Sequence, residues 1–368
     1  MTPPTLERRE GEAWGRLPFP IRLRPVDLFG HAPYNFAVFQ ETLPFYGTLQ
    51  DMKLGNVLVV LVLAVSWQPV DPTWAQTPTT PPTEATVPTS NKELVVDVDL
   101  VNVVFSVLDK KGKAIPDLNQ NEISVVENDA TQKITNFTHE AAGPVALAVL
   151  IDTSNSIRAQ FKVEQEAAID FFHTTVRRRQ DKAMLMSFDS TVDILQPFTD
   201  DADLLTKAVR RLKTGGGTKL FDAVQLACQE HLRKQTGMRR VLVLISDGDD
   251  NMSFEMLGST IEAAQRAEVA IYAISTNTSG FFGMSAPKND KVLKRLAEET
   301  GGRAFFPAKI DEMAINFQDI STELRNQYSL AYRSSNKQRD GSFRSIKINT
   351  IRKDAKTFHR KGYYAAPS

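Results

Sequence analysis

The 368-residue chain carries 44 basic and 44 acidic residues, so its formal net charge is zero. This balance gives no reason to expect nucleic acid or an anionic membrane as its main partner. Its hydrophobic content of 42% is enough for packed cores, and its length favours two or three domains. The single cysteine, Cys228, excludes an intramolecular disulfide, and we expect it to lie buried on a helix.

An apolar run at 57–67 follows Met52 and a lysine, and the small residues around Ala75 come after it. This order is typical of a secretory signal peptide, and the run is about half of the ~20 residues that a membrane-spanning helix needs. We expect a signal peptide at 52–75, cleavage after Ala75 and no membrane span in the mature protein. An uncleaved anchor with a short cytoplasmic tail is the alternative.

The segments on either side of this run carry no pattern of a packed core. Residues 1–51 show no sustained helix or strand period, and we expect translation to begin at Met52, with 1–51 a non-native extension or disordered. Residues 76–92 are rich in proline and threonine, which predicts an extended linker. A signal peptide and a linker together predict that the folded part acts outside the cytoplasm, in the periplasm, the cell envelope or the medium.

Three segments of different pattern follow. Residues 93–143 are valine-rich and partly alternating, which predicts a small antiparallel β segment, the half of an immunoglobulin-like sandwich. Residues 144–326 alternate apolar strands with helices, which predicts an α/β fold with a doubly wound, mostly parallel sheet. Residues 327–368 are β again. The strands of the middle segment are predicted at 145–151, 183–188, 241–245, 269–275 and 303–306, and its helices at 160–177, 202–213, 220–232, 254–267, 290–299 and 310–325.

The C-terminal segment contains three predicted strands, too few to bury a core comfortably. Because the termini of a doubly wound domain often lie close together, strands of both β segments are expected to meet. We therefore predict one β-sandwich with the α/β domain inserted between its halves.

Oxygen-bearing side chains follow two of the predicted strands and one glycine run. Asp152, Ser154 and Ser156 come directly after the strand at 145–151, Thr218 follows three glycines, and Asp247 follows another apolar strand. Ligand sites in such sheets lie beyond the carboxyl ends of the strands. Hydroxyls and carboxylates from three loops are the donors that a hard divalent cation such as Mg²⁺ requires, with about six oxygens in all.

Other interpretations of the same residues are weaker. Each motif alone is explained by a helix cap or a turn, but capping does not account for three loops with the same hard donors. A phosphatase of the haloacid dehalogenase type has Asp-x-Asp, and position 154 is serine. A P-loop needs Gly-Lys-Ser/Thr directly after a strand, whereas Thr218 precedes Lys219 here. An EF-hand loop starting at Asp247 would place Met252 and Gly258 where glycine and glutamate are required.

The order Asp152-x-Ser154-x-Ser156, then Thr218, then Ser246-Asp247-Gly248 resembles the metal-ion-dependent adhesion site of the von Willebrand factor A (VWA) family. The resemblance covers about 144–326 and implies the Rossmann-like fold of that family. It implies direct metal contacts from Ser154, Ser156 and Thr218, contacts through water from Asp152 and Asp247, and a sixth position left for a partner's carboxylate. The flanking β segments also resemble bacterial extracytoplasmic proteins of this family.

We therefore expect a metal-dependent protein–protein interaction or adhesion module with no catalytic activity. Its cation is expected to be Mg²⁺, with Mn²⁺ and Ca²⁺ as alternatives, and its partner a protein that presents an aspartate or glutamate; nucleic acid is not expected. A metal-assisted hydrolase is the first alternative, but it would need a general base or a second metal beside the first. A subunit of an envelope assembly machine is the second.

Overall fold

The structure, a computed structural model, describes residues 100–140, 142–155, 161–277 and 288–367. The chain divides into two units, Met1–Val87 and Pro88–Ser368, and every described residue belongs to the second. The predicted extension at 1–51, signal peptide at 52–75 and linker at 76–92 lie outside the described residues. In the part of the chain that is described, no helix is both long and apolar enough to cross a membrane.

A six-stranded sheet forms the middle of the described chain. Its strands are β5 (Val145–Asp152), β6 (Lys182–Phe188), β7 (Val192–Thr199), β8 (Arg239–Ser246), β9 (Val269–Ser275) and β10 (Ala304–Phe305). Their order is β10-β9-β8-β5-β6-β7, and all neighbours are parallel except β6 and β7. Every residue of β5 is buried, as expected for a central strand that is covered on both faces.

Helices cover both faces of this sheet, which confirms the predicted doubly wound architecture. Side chains of β5 point alternately to the two faces. Val145, Leu147 and Val149 face a core formed with α1, α2 and α6, whereas Ala146 and Ala148 face α3, α4 and α5. Cys228 lies in the second core and is buried. The helices are α1 (Phe161–Thr175), α2 (Ala202–Val209), α3 (Leu220–Leu226), α4 (Leu257–Arg266), α5 (Lys288–Thr300) and α6 (Met313–Leu324).

The two flanking segments supply the strands of two further sheets. These are β1 (Leu100–Asp109), β2 (Ile123–Glu127), β3 (Ala130–Gln132), β4 (Ile134–His139), β11 (Tyr328–Arg333), β12 (Phe343–Thr350), β13 (Ala355–His359) and β14 (Gly362–Tyr364). The strand orders are β13-β1-β11-β4 and β14-β12-β2-β3, so each sheet contains strands from both segments. Phe105, Val125, Tyr328 and Ile346 share one buried core between the sheets. The two segments thus form one sandwich, as predicted.

The α/β domain enters and leaves this sandwich at one place. His139 at the end of β4 pairs with Tyr328 at the start of β11, and the Glu140 backbone N–H donates to Gln327 O over 2.7 Å. Arg239, the first residue of β8, ties the two crossings together: Nη1 donates to Gln327 Oε1 over 2.7 Å and Nη2 donates to Gly143 O over 3.1 Å. The domain is therefore an insertion between two paired strands.

Some predicted elements differ from the structure. The antiparallel edge strand β7 was not predicted. The helix predicted at 220–232 ends at Leu226 and continues as a π-turn over Ala227–His231 and a 3₁₀ turn over Leu232–Lys234. The C-terminal segment contains four strands where three were predicted, because the last predicted strand is split into β13 and β14.

Candidate metal centre

The loop after β5 places Asp152 and Ser154 at the carboxyl end of the sheet, and both are buried. Asp152 Oδ1 accepts a hydrogen bond from the Ser154 backbone N–H (2.9 Å), which folds the loop back on the strand end. The Thr153 backbone N–H donates to Phe188 O of β6 (2.9 Å). The loop is therefore held by its own strand and by the neighbouring one.

The glycine-rich loop before α3 brings Thr218 beside this first loop. The Gly215 N–H donates to Thr153 O over 2.7 Å, and the Gly217 N–H donates to Ser190 Oγ over 2.8 Å. Gly216 has φ +82°, a left-handed conformation in which a Cβ atom is disfavoured. Thr218 itself is buried, at 3% exposure.

The loop after β8 completes the arrangement with Asp247. Ser246 Oγ donates to Asp152 Oδ2 over 2.7 Å and accepts from the Gly248 N–H over 3.0 Å, so it joins this loop to the first. Asn251 joins it to the glycine-rich loop, because its Oδ1 accepts from the Thr218 N–H over 3.0 Å.

Four of the five predicted site residues thus lie on three loops that are hydrogen-bonded to one another: Asp152, Ser154, Thr218 and Asp247. The fifth, Ser156, lies outside the described residues. The role of all five as metal ligands stays a prediction. Ser246 was part of the sequence motif but was given no role, and Asn251 and Asn277 were missed as supporting residues; Asn277 Nδ2 donates to Asp247 O over 2.7 Å.

The site carries negative charge that no described cation offsets. No ion pair among the described residues involves Asp152 or Asp247. Burial, opposed by hydrogen bonds from Ser154 and Ser246 and reinforced by the charge of Asp247, raises the pKa of Asp152 from 3.8 to about 6. A carboxylate with a raised pKa is one that a nearby cation would stabilise.

A further acid, Glu164 on the first turn of α1, was not predicted. It is completely buried, and neither of its carboxyl oxygens has a hydrogen-bond partner among the described residues. Burial, and then the charges of Asp152 and Asp247, raise its pKa from 4.5 to about 8. Glu164 therefore faces the same concentration of negative charge and is itself unpaired.

The donor set fits a hard divalent cation. All four described side chains offer oxygen, two as carboxylates and two as hydroxyls, which suits Mg²⁺, Mn²⁺ or Ca²⁺ rather than a soft metal. Nowhere in the described ranges do three or more histidine, cysteine, aspartate or glutamate side chains come together as a metal site. The unpaired buried carboxyl of Glu164 and the raised pKa of Asp152 are consistent with a place for positive charge.

Exposed apolar side chains border these loops. Met252, Phe254 and Met256 are 45%, 89% and 76% exposed, on the segment that follows the Asp247 loop. The backbone N–H of Met252 donates to Thr218 O over 3.0 Å, which places the segment against the glycine-rich loop. Asp222 Oδ1 accepts from the Phe254 N–H over 3.0 Å and so fixes the segment on α3. We call 252–256 the apolar rim.

Comparison with known proteins identifies the α/β domain. The family of von Willebrand factor type A domains matches residues 147–249, which contain Asp152, Thr218 and Asp247. The match assigns these residues, and not the whole chain, to the von Willebrand factor type A domain family. No curated protein matches the chain.

Solved structures are similar to the chain at low sequence identity. Proximal thread matrix protein 1 from the mussel byssus is 16% identical, with 54% of this chain and 51% of that chain covered at a TM-score of 0.44. A von Willebrand factor type A protein from Catenulispora acidiphila is 11% identical, with 73% and 74% covered at 0.44. The vWF domain of the type V pili tip protein Mfa5 from Porphyromonas gingivalis is 15% identical, with 49% and 94% covered at 0.41. The match spans about half the length of the byssus protein.

Proposed function

We propose that this chain is a metal-dependent protein–protein interaction module that acts outside the cytoplasm and has no catalytic activity. The observation that carries the proposal is the hydrogen-bonded convergence of Asp152, Ser154, Thr218 and Asp247 at one end of the sheet. A divalent cation held there, for which we propose Mg²⁺, would supply an electrophilic point for an aspartate or glutamate of a partner protein.

The five candidate ligands have two different roles in this proposal. Asp152 and Asp247 supply the negative charge, and the hydroxyls of Ser154, Ser156 and Thr218 supply neutral oxygens. Two carboxylates among five ligands leave a divalent cation electron-poor, so that a further carboxylate from outside is favoured. The apolar rim lies next to this contact and could pack against hydrophobic side chains of the partner. Protein–protein interfaces commonly combine polar contacts with apolar packing in this way.

The metal part of the proposal is tested by calorimetric titration of the metal-free full chain with Mg²⁺, Mn²⁺ and Ca²⁺. We expect one saturable site in the wild type, no binding in Asp247→Ala, and weaker binding in Thr218→Ala, because water replaces a neutral oxygen more easily than a charge. Asp319→Ala, an exposed aspartate on α6, is the matched control. Equal affinity in Asp247→Ala and Asp319→Ala would contradict the assignment of the site.

The recognition part is tested by capture from envelope extract, with Mg²⁺ and with chelator, on immobilised wild type and on Asp247→Ala. We expect a partner that is retained only by the wild type with Mg²⁺ and is released by chelator. If calorimetry shows an intact Mg²⁺ site but chelator does not release the partner, the metal site is not the recognition site.

The proposed location has its own test. N-terminal sequencing of native material should find Gln76 as the first residue. A native chain that begins before Met52 would contradict the proposed signal peptide without touching the metal site.

A further inference from the structure

A polar cavity of about 400 Å³ lies where the sandwich meets the α/β domain, and its walls come from both. It is separate from the metal centre. Arg240 lies at the start of β8, whereas Asp247 follows the end of that strand. The two sites therefore lie at opposite ends of the strands, roughly 25 Å apart. Six arginines and one glutamate line the cavity: Arg233, Arg240, Arg266, Arg339, Arg344 and Arg360, with Glu268.

Positive charge exceeds negative charge in this cavity. Glu268 is shared, since its carboxylate lies 3.1 Å from Arg360 Nη1 and 3.8 Å from Arg240 Nη1. Outside the cavity, Glu127 and Glu262 pair with two more of the arginines, Arg344 (3.8 Å) and Arg266 (2.8 Å). Three carboxylates therefore pair with four of the six guanidinium groups, and the charge of a fourth acid, Asp340, also acts on Arg344.

Two arginines of the cavity, Arg233 and Arg339, are exposed and form no ion pair within the described ranges. Arg266 Nε donates to Glu262 Oε1 over 2.8 Å, and the Arg266 guanidinium lies 4.0 Å from the centre of the Tyr364 ring. Its two terminal nitrogens have no acceptor in the described part of the chain. Within the described residues, the guanidinium groups of Arg233 and Arg339 and the two terminal nitrogens of Arg266 are therefore donors without an acceptor.

The arginines behind them are buried and hydrogen-bonded to the backbone. Arg344 is only 4% exposed, and its guanidinium donates to Asn336 O over 2.7 Å and also to Gln338 O. It thus fixes the loop that carries Arg339. Arg360, 9% exposed, donates from Nη2 to Asn102 O of β1 over 2.7 Å. The buried Arg344 and Arg360 therefore stabilise the backbone around the cavity, and the exposed Arg233 and Arg339 are accessible to a ligand.

Glu268 occupies a conformation that its residue type disfavours. It is the second residue after α4 and has φ +53°, a left-handed position where glycine or asparagine is common. Its carboxylate bridges Arg240 of the α/β domain and Arg360 of the sandwich. The negative charge of Glu268 lowers the net positive charge of the cavity, so neutralising Glu268 should increase that positive charge.

We propose that this cavity binds a small ligand with two phosphate-type oxyanions. Guanidinium groups donate in pairs to tetrahedral oxyanions, and an excess of arginines over carboxylates is matched by a multiply charged anion rather than by one carboxylate. A volume of about 400 Å³ suits a small molecule or a headgroup. The proposal does not depend on the metal centre.

The test is calorimetric titration of the full chain with inorganic pyrophosphate at low ionic strength, after metal has been removed with a chelating resin. We expect one saturable site, weakened roughly two- to fivefold in Arg233→Gln and in Arg339→Gln. Glu268→Gln should strengthen binding by a similar factor. Because Arg233 and Arg339 have no ion-pair partner in the described chain, their variants should melt as the wild type does.

Arg211→Gln, an exposed arginine after α2 that does not line the cavity, is the matched control, and Asp247→Ala separates this site from the metal centre. Neither should change pyrophosphate binding. Absence of saturable binding, an equal loss in Arg211→Gln, or weaker binding in a folded Glu268→Gln would overturn the proposal. Sedimentation with vesicles that contain cardiolipin, whose headgroup carries two phosphates, and its weakening in Arg233→Gln would assign the oxyanions to a lipid headgroup. Pyrophosphate binding without sedimentation would assign them to a soluble ligand.

Discussion

Glu164 lies on the buried stripe of α1, in line with Ala167, Ala168, Phe171 and Phe172. Burial of a carboxylate without a partner is costly, so the metal-free protein holds this side chain neutral through a raised pKa of about 8. The sequence does contain a signal for it, since an acid stands at a core position of an amphipathic helix. That signal is weaker than the clustered oxygens at the strand ends, and it was missed.

A pH dependence of stability follows from Glu164. Its pKa of about 8 in the folded protein exceeds the 4.5 of an unfolded chain, so its contribution is complete below pH 4.5 and is lost as the pH rises through 8. We expect the free energy of unfolding of metal-free protein to fall across that window. In Glu164→Gln this fall should shrink by up to about 4 kcal/mol. Urea denaturation at pH 5 and pH 8 measures it.

Glu166→Gln is the matched control, since Glu166 lies exposed on the same helix. It should retain the wild-type fall in stability. Parallel pH profiles for the wild type and Glu164→Gln would contradict the buried, unpaired state of Glu164.

The position of the candidate residues at the strand ends could be predicted, because these hydroxyl and carboxyl residues follow apolar runs in the sequence itself. Their supports could not. Ser246 bonds to Asp152, and Asn251 bonds to Thr218, across separations of 94 and 33 residues. Such contacts arise from the strand order of the folded sheet, which no local pattern contains.

At the scale of elements, the glycine-rich loop offers a direct comparison between adjacent residues. Gly216 has φ +82°, and a Cβ there would collide with Ser190, whereas a Cβ on Gly215 meets nothing within 4 Å. We expect Gly216→Ala to destabilise the protein by about 1–3 kcal/mol, through left-handed strain and this clash, and to weaken Mg²⁺ binding by displacing Thr218. Gly215→Ala should change neither. Thermal melts and Mg²⁺ calorimetry on both variants test this, and equal effects would contradict it.

The apolar rim separates recognition from metal binding. The side chain of Phe254 is 89% exposed, and Phe254 is not one of the five candidate metal-site residues. We expect Phe254→Ser to weaken partner capture by roughly tenfold, as for a buried interface anchor, and to leave Mg²⁺ affinity unchanged. Ile351→Ser, at 74% exposure on the sandwich, is the matched control. A loss of Mg²⁺ binding in Phe254→Ser, or equal capture by both variants, would sink this role for the rim.

Strand prediction succeeded where a strand is buried on both faces. β5 and β8 are short continuous apolar runs with turn residues behind them, the pattern of parallel strands. β7 was missed because it lies at the edge of the sheet, pairs with β6 through shifted registers and contains Pro197. None of its residues is buried, so its composition is not that of a core strand.

At the scale of the molecule, the sandwich was predictable from a shortage: the C-terminal segment has too few strands for a core of its own. Its register was not predictable, because it depends on pairs such as Phe105 with Tyr328, whose partners are separated by the whole α/β domain. The cavity at the seam was missed for the same reason, since Arg266 and Arg344 meet there only after both parts have folded.

The insertion itself leads to the last expectation. β4 and β11 are antiparallel neighbours, and His139 faces Tyr328 at the point where the α/β domain enters and leaves. Replacing residues 141–326 by Asn-Gly should therefore join Glu140 to Gln327 as a tight hairpin, since two-residue Asn-Gly turns match the twist of antiparallel strands. The sandwich keeps its own core of Val103, Phe105 and Leu330, so we expect it to fold alone and to unfold cooperatively in urea. Truncation after Asn326 removes β11 and β13 from one sheet and β12 and β14 from the other. β1 should then lose both of its partners and β2 its pairing with β12, which amide hydrogen exchange would report. A hairpin variant without a cooperative transition, or a truncated chain with protected β1 amides, would show that the sandwich depends on the inserted domain in a way that its strand pairing does not explain.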